Sequence, residues 1–364
     1  MRLTQSVDET KRNFMKWWRG EDFGRPLFNL TSRPPRPPGA PRPVRRRTAG
    51  QPFRLDAAQR YENIKRNFDE STLYGDTLPF TGISMGVGCM AAFLGCEPVF
   101  ADDTTWMNPI VDESVGISSL GRLTYDPDNF WWAEHLRETG KLAKLCRDEG
   151  FIVTIPDILE NFDILGLLCG SQNMCYYLMD EPELVADYIN QIDDLYFEYF
   201  DRLYDLIKDE GGGNGSLFNI WSEKRTLKIQ CDVAVFLSPK QFDDLVIPSF
   251  EKQLSRIDNS LYHLDGPDAI RYLDSILTLK NLKALQFTPG DGNPPPEKEI
   301  WYPIYDKVRA AGKSIWVYAT GDDPIDDSRK LIERYGTAGV YLLYRNQDEE
   351  FAKRLSDAAY NGFR

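Results

Sequence analysis

Residues 260–287 read SLYHLDGPDAIRYLDSILTLKNLKALQF, and this stretch decides the fold class. It begins with a short apolar run at 260–264, continues as a helical pattern at 267–278, and returns to an apolar run at 284–287. A strand, a helix and a second strand in this order are typical of a βαβ unit, in which the two strands lie parallel.

The same alternation continues through most of the chain. Short apolar runs predict strands at 78–83, 151–155, 217–221, 234–237, 315–319 and 340–343, and longer periodic segments predict helices at 130–149, 181–208, 239–258, 297–311 and 324–335. About eight such units favour a closed (β/α)8 barrel of the TIM type over an open doubly wound sheet. The 364 residues fit one such domain. We therefore predict an α/β fold: a single barrel domain over 1–364, with an N-terminal helical extension over 1–70.

The composition excludes several classes of protein. A net charge of −13 and a pI of about 4.8 argue against nucleic acid or an anionic membrane as the main partner. The sequence shows no apolar run near the ~20 residues of a membrane span, and its first segment lacks the apolar core of a signal peptide. The six cysteines form no CxxC pair, which indicates free buried thiols. We expect a cytoplasmic protein.

His263 is the residue to which the sequence most directly assigns chemistry. The other histidine, His135, falls in a segment predicted as a surface helix. His263 ends a predicted strand, and strand alternation places it on the same face as Asp265. At the end of a barrel strand, this pair suits general acid–base catalysis, with the carboxylate orienting the imidazole. It also suits part of a divalent metal site such as zinc. A histidine that only hydrogen-bonds in the core remains the third possibility.

Other candidate residues lie beside predicted strand ends. They are Asp76, Asp157, Cys231 and Gln286, and Trp221 occupies a strand position that could face the same pocket. Each alone also fits a helix cap, a turn or a core position. Their joint placement around one barrel mouth favours a pocket. We predict that Asp76 is catalytic together with His263 and Asp265, and that the other four bind substrate.

An arginine-rich segment follows the first predicted strand. Residues 33–47 contain six arginines and six prolines without an acidic residue. This composition is typical of an extended, solvated loop. Alternatively, Arg33 and Arg36 meet an anionic substrate at the mouth of the pocket.

Several segments resemble the uroporphyrinogen decarboxylase-like family in their order and spacing. They are LYGDTLPF at 73–80, LMDEPE at 178–183, LSPKQFDDLVIP at 237–248 and YHLDGP at 262–267. The resemblance extends from about residue 10 to the C-terminus. It implies a (β/α) barrel with its site at the carboxyl-terminal mouth, and a homodimer would be common in this family.

The resemblance implies one of two chemistries. The family's decarboxylases need no cofactor and bind acidic tetrapyrroles through arginines and an aspartate, which Asp76 matches, but their later histidine has no counterpart after His263. The methyltransferase branch holds zinc with a His-x-Cys motif and a later cysteine. Here Asp265 replaces the first cysteine and no cysteine follows Cys231, so the usual thiolate site is excluded.

The resemblance therefore leads us to expect an enzyme for a small anionic or methylated substrate. Methyl transfer linked to a corrinoid protein is slightly favoured. Cofactor-free decarboxylation and a non-catalytic ligand-binding barrel are the alternatives. A divalent metal such as zinc, held by His263 and Asp265, is the one cofactor that we expect as possible.

Overall fold

The computed structural model describes residues 1–33, 55–101 and 104–363. The strands β1 to β14 are Arg2–Leu3, Leu27–Ser32, Thr72–Gly75, Phe80–Thr81, Glu97–Phe100, Thr105–Asn108, Ile152–Val153, Asn214–Ser216, Ile220–Ser222, Thr226–Ile229, Asn259–Asp265, Leu282–Thr288, Ser314–Ala319 and Val340–Tyr344. The helices α1 to α13 are Val7–Trp18, Ala57–Asp69, Cys89–Phe93, Phe130–Cys146, Asn161–Cys169, Ser171–Asp180, Pro182–Ile207, Pro239–Gln241, Ile247–Leu254, Leu273–Leu277, Tyr302–Ala310, Pro324–Tyr335 and Glu349–Tyr360.

An eight-stranded sheet organises the molecule, in the order β1-β3-β2-β14-β13-β12-β11-β10. Six of its seven pairings are parallel, and only β2 and β3 run antiparallel. Helices separate the successive parallel strands from β10 to β14, as the βαβ pattern predicts. The arrangement is a mixed α/β fold, consistent with the TIM type.

The last four predicted strands are confirmed, but the region before them differs. The predicted strand at 234–237 is wrong, because Asp232–Phe236 forms a 3-10 helix. The Asp163 carboxylate accepts hydrogen bonds from the backbone N–H groups of Asp232 and Val233, which favours a helical turn there. The predicted strand at 217–221 is interrupted by the turn between β8 and β9. The strand of the sheet in this region is instead β10.

The two faces of the sheet bury different cores. Alternate residues such as Leu227, Tyr262 and Leu285 pack into a large core under the helices. The other face carries a smaller core that includes Leu261 and Ala284. This alternation means that consecutive residues of a strand point into different environments. We call the face with the smaller core the inner face.

Helix α1 covers the amino-terminal end of the parallel strands. Its side chains Phe14, Trp17 and Trp18 belong to the smaller core. The hydroxyl of Ser314, the first residue of β13, donates to the Trp17 carbonyl at 2.7 Å. Strand β2 lies between β3 and β14 within the main sheet. The segment predicted as an extension over 1–70 therefore contributes a strand and a cover to the same body.

His135 contradicts its predicted place on a surface helix. The side chain is fully buried, and its ring packs edge-on against Phe93. Neither ring nitrogen has a hydrogen-bond partner among the described residues. Burial lowers the pKa of His135 to about 3, so the ring is neutral at ordinary pH. The prediction failed because the apolar stripe of α4 shows only that one face of the helix is buried. It does not show that the polar His135 lies on that face.

Replacement of His135 by Phe is therefore expected to stabilise the protein. Removing buried nitrogens without partners should add about 1–2 kcal/mol to the free energy of unfolding, or about 2 °C in Tm. The gain should grow as pH falls below 6.5, because the imidazole takes up a proton in the unfolded chain but not in the folded one. Thermal unfolding of H135F and wild type at pH 5 and pH 8 measures this. A lower Tm for H135F at both pH values would contradict it, and H135L tests whether ring size alone is responsible.

Candidate functional site

Polar side chains occupy the carboxyl-terminal half of the inner face. On β11, Leu261 lies in the smaller core, whereas His263 and Asp265 follow it on the same face. On β12, Ala284 is likewise followed by Gln286 and Thr288. In α/β folds, the carboxyl ends of parallel strands are where functional residues gather.

His263 is held in one orientation by its neighbour in register. His263 pairs with Gln286 across β11 and β12, and its Nδ1 hydrogen-bonds to the Gln286 Oε1. The Gln286 amide in turn donates to the Thr288 hydroxyl at 2.9 Å. With Oε1 facing the ring, Nδ1 carries the proton and Nε2 holds the free lone pair of the neutral ring. Burial and the nearby Lys228 ammonium lower the pKa of His263, which favours that neutral form.

The Phe218 ring packs on the other side of this imidazole. Its centroid lies 4.8 Å from that of His263, and it meets Trp316 edge-on at 5.5 Å. Phe218 and Asn219 form the turn between β8 and β9, and both have positive φ, at 63° and 53°. A bulky residue is strained in this conformation by roughly 1 kcal/mol. The backbone of the β8–β9 hairpin is therefore strained at the turn that holds the Phe218 ring against the imidazole.

Asp265 is not the partner of His263 that the sequence predicted. The Asp265 side chain is exposed and makes no hydrogen bond with any described residue, although its charge acts to raise the pKa of His263; the hydrogen bond to the imidazole comes from Gln286. A zinc site needs three or four protein ligands. Among the described residues, no group of three or more histidine, cysteine or acidic side chains is placed to hold a metal ion. The donor set around His263 and Asp265 therefore does not fit the divalent metal that the sequence suggested.

A buried lysine, Lys228, anchors a cluster of ionisable groups beside His263. Lys228 lies on the inner face of β10, and its Nζ contacts Asp157 Oδ1 at 2.9 Å and the Gln230 side chain. The Gln230 amide continues to Asp232 Oδ2 at 2.6 Å. Asp157 thus lies beside the Lys228 ammonium, and its role in binding substrate stays a prediction. An ammonium at this depth needs carboxylate partners to stay charged.

Three further carboxyl groups of the cluster have raised pKa values. Burial raises the pKa of Glu160 to about 8 and also raises that of Asp163. Burial, with the Asp163 charge, raises the pKa of Asp232 to about 6. Glu160 accepts from the backbone N–H of Gln230 at 3.0 Å, which ties it to the end of β10. Weak acids held beside a neutral imidazole form an arrangement that can give and take protons near neutral pH.

Sequence reasoning missed Lys228, Glu160 and Asp163. A signal for Lys228 was present, because a lysine between Leu227 and Ile229 in a buried strand must point to the opposite face from both. Glu160 and Asp163 lie at the start of α5, where an acidic residue is ordinarily a helix cap. Their separation from Lys228 along the chain gave no indication of contact.

The structure places three predicted site residues elsewhere. Asp76 follows β3, which runs antiparallel to β2, and it lies beside Phe28 at the amino-terminal end of the parallel strands. It is fully buried in an ion pair with Arg25 at 2.5 Å. Trp221 packs in the smaller core, where its carbonyl accepts from Trp18. Cys231 packs in the large core, and burial raises its thiol pKa well above the usual range, so it remains protonated.

A cavity of about 490 Å³ opens at the ends of β2, β13 and β14. Arg33 lines it together with Arg345, Tyr318 and Asn219. Arg33 is thus at a wall of this cavity, and its contact with an anionic substrate stays a prediction. Arg36 lies outside the described residues. Asn219 belongs to the same turn as Phe218, so this turn separates the cavity from His263.

Comparison with known proteins supports the fold. No protein-family model matches the sequence, and no curated protein matches it significantly. Among solved structures, a methyltransferase from Methanosarcina mazei is similar, with a TM-score of 0.58 and 10% sequence identity. The match covers 97% of this chain and 98% of that one. At this identity the likeness establishes a shared α/β fold over nearly the whole chain.

Proposed function

We propose that the protein is a methyltransferase of the uroporphyrinogen decarboxylase superfamily. It would take a methyl group from a small anionic substrate and pass it to a corrinoid carried by a partner protein. Support comes from the shared fold with a methyltransferase, and from the family-like segments around His263. The observation that carries the proposal is the cluster of weak acids and neutral imidazole at the carboxyl ends of β10 and β11.

That cluster supplies what demethylation of a heteroatom requires. When the methyl group leaves as a cation equivalent, the reduced corrinoid provides the electron pair of the new bond to carbon. The electron pair of the broken bond stays on the substrate's oxygen or nitrogen, which must gain a proton. Asp232 follows the carboxyl end of β10 and reaches solvent, while partial burial of its carboxyl group beside Asp163 raises its pKa to about 6, so it can donate that proton. The Nε2 of His263 would orient the same heteroatom, while Gln286 fixes the ring.

The test is an anaerobic incubation with reduced cobalamin as the acceptor. A panel of O-methylated and N-methylated carboxylic acids serves as donors. Turnover is followed by the change in corrinoid absorbance and by mass spectrometry of the demethylated product. Turnover of any donor that depends on both the protein and the corrinoid supports the proposal.

Asp232→Asn is expected to lower kcat about 100-fold while changing KM little, because a general acid acts in the transition state. The wild-type rate should fall as pH rises above about 6, where Asp232 loses its proton. Asp243→Asn is the matched control, since Asp243 is also exposed but lies on the helical segment that follows. An unchanged kcat for D232N with an active donor would exclude Asp232 as the acid.

The remaining hypotheses give different outcomes in the same experiment. Release of carbon dioxide from a carboxylated substrate without any corrinoid would indicate decarboxylation instead. Ligand binding without any turnover, retained in His263→Ala, would indicate a non-catalytic binding protein. A metal-dependent step is not part of the proposal, because the donors around His263 do not fit one.

A further inference from the structure

The cavity at the ends of β2, β13 and β14 has an electrostatic character opposite to that of the protein. The chain carries a net charge of −13, yet the described residues that line the cavity include two arginines and no acidic side chain. A cavity of about 490 Å³ lies within the range that small-molecule sites occupy. A cationic wall in an acidic protein indicates a site for an anion.

Arg345 is the cation that is available for a ligand. It directly follows β14, and it forms no ion pair or hydrogen bond with any described residue. Arg33 stands on the same wall, because β14 and β2 are paired parallel with Leu343 opposite Asn29. A guanidinium group without a carboxylate partner matches the two oxygens of a ligand carboxylate.

Three aromatic side chains among the polar residues of the remaining walls offer a surface for a flat ring on that ligand. Tyr318, Phe80 and Phe68 line the cavity with aromatic surface. Asn29 and Asn219 add amide groups, which can hydrogen-bond to a polar substituent. A ring of six atoms fills such a space better than an aliphatic acid of two carbons, because it buries more apolar area.

The cavity and the acid–base cluster meet at one turn. Asn219 lines the cavity, and the adjacent Phe218 packs against His263 at 4.8 Å. Tyr318 also lies two residues beyond Trp316, whose ring touches Phe218. A ligand anchored at Arg345 and lying along Tyr318 would extend toward the turn of Phe218 and Asn219, and His263 lies on the other side of that turn.

We propose that this cavity binds a small aromatic carboxylate, with Arg345 as the anchor of the carboxylate group. The inference rests on the proposed function in one respect only: the aromatic carboxylate would be the substrate class of the proposed methyltransferase. Binding of the acid itself requires no reaction. Failure of methyl transfer and failure of this inference can therefore be separated.

Calorimetric titration tests the inference at low ionic strength, with benzoate, benzamide, acetate and inorganic phosphate as probes. Wild type should bind benzoate at least tenfold more tightly than each of the other three. Arg345→Met should weaken benzoate binding at least tenfold and leave any benzamide binding unchanged. Arg345→Lys should lie between the two, since it keeps the charge but loses the paired donors. Arg354→Met, which removes an exposed arginine from α13, is the control.

The contrary results are equally specific. Equal affinity for benzoate and benzamide would remove the anionic requirement, and equal affinity for phosphate or acetate would remove the aromatic one. Unchanged benzoate binding in R345M would overturn the assignment of the anchor. Turnover restricted to uncharged donors would contradict this inference while supporting methyl transfer.

Discussion

Glu160→Gln should make the protein more stable at pH 8.5 and leave its stability at pH 4 nearly unchanged. Burial raises the pKa of Glu160 from 4.5 to about 8. In the folded protein the carboxyl group is therefore protonated across a range in which the unfolded chain has already ionised it. Glutamine resembles the protonated acid, and its side-chain oxygen can keep the bond from the Gln230 N–H.

The direction of the pH effect follows from proton binding. A carboxyl group whose pKa is raised by folding contributes its stability below pH 4.5, and that contribution is lost as pH rises through about 8. The full loss for this one group is at most about 5 kcal/mol, which corresponds to about 6 °C in Tm for a chain of this length. E160Q should remove this part of the pH dependence. Asp163, Asp193 and Asp232 also have raised pKa values and should leave a residual slope.

Thermal unfolding between pH 4 and pH 9 measures the difference between E160Q and wild type. Glu210→Gln is the control, because Glu210 is exposed in the loop after α7. The two Tm curves should converge at low pH and separate as pH rises. Parallel curves for E160Q and wild type would mean that Glu160 ionises normally in the folded protein, and the acid–base cluster would lose its deepest member.

The sequence predicted the part of the fold that rests on local pattern. The strands around His263, Gln286, Trp316 and Leu342 are buried on both faces, so their apolar runs stand out from the helices between them. The strands β8 and β9 were harder to predict, because they are short and the turn between them packs against residues of the inner face. There the pairing depends on tertiary contacts that a local pattern does not contain.

The candidate site divides in the same way. Alternation along β11 correctly put His263 and Asp265 on one face, but it could not show which neighbouring strand would supply the imidazole's partner. Asp76 shows a second limit. Its position just before the strand predicted at 78–83 indicated a site, but Asp76 directly follows β3, which runs antiparallel to β2, so it lies at the opposite edge of the sheet. Direction within a sheet is a property of topology, and no motif in the chain encodes it.

Arg25→Met is expected to destabilise the protein by about 3–5 kcal/mol, because it leaves the buried Asp76 carboxylate without its counter-charge. Arg25 contacts both oxygens of Asp76, at 2.5 and 3.1 Å. Asn13 donates to the same carboxylate at 2.8 Å, and so does Gln5. The guanidinium also lies about 5 Å from the rings of Phe28 and Tyr360. Through these contacts the pair joins α1, β2 and the last helix, and its loss should lower Tm by about 5 °C.

A double-mutant cycle separates this structural role from the catalytic role first predicted for Asp76. R25M and D76N should each destabilise strongly, whereas R25M/D76N should be at least 2 kcal/mol more stable than their sum, because it leaves no buried unpaired charge. Chemical denaturation measures the three free energies. Additive effects would show that the two charges do not interact. If the pair is structural, D76N should also retain its kcat at temperatures well below its own Tm, since the site at the opposite ends of the strands remains intact. A loss of kcat in folded D76N would instead return Asp76 to the catalytic residues and require a path from the amino-terminal end of the sheet to His263.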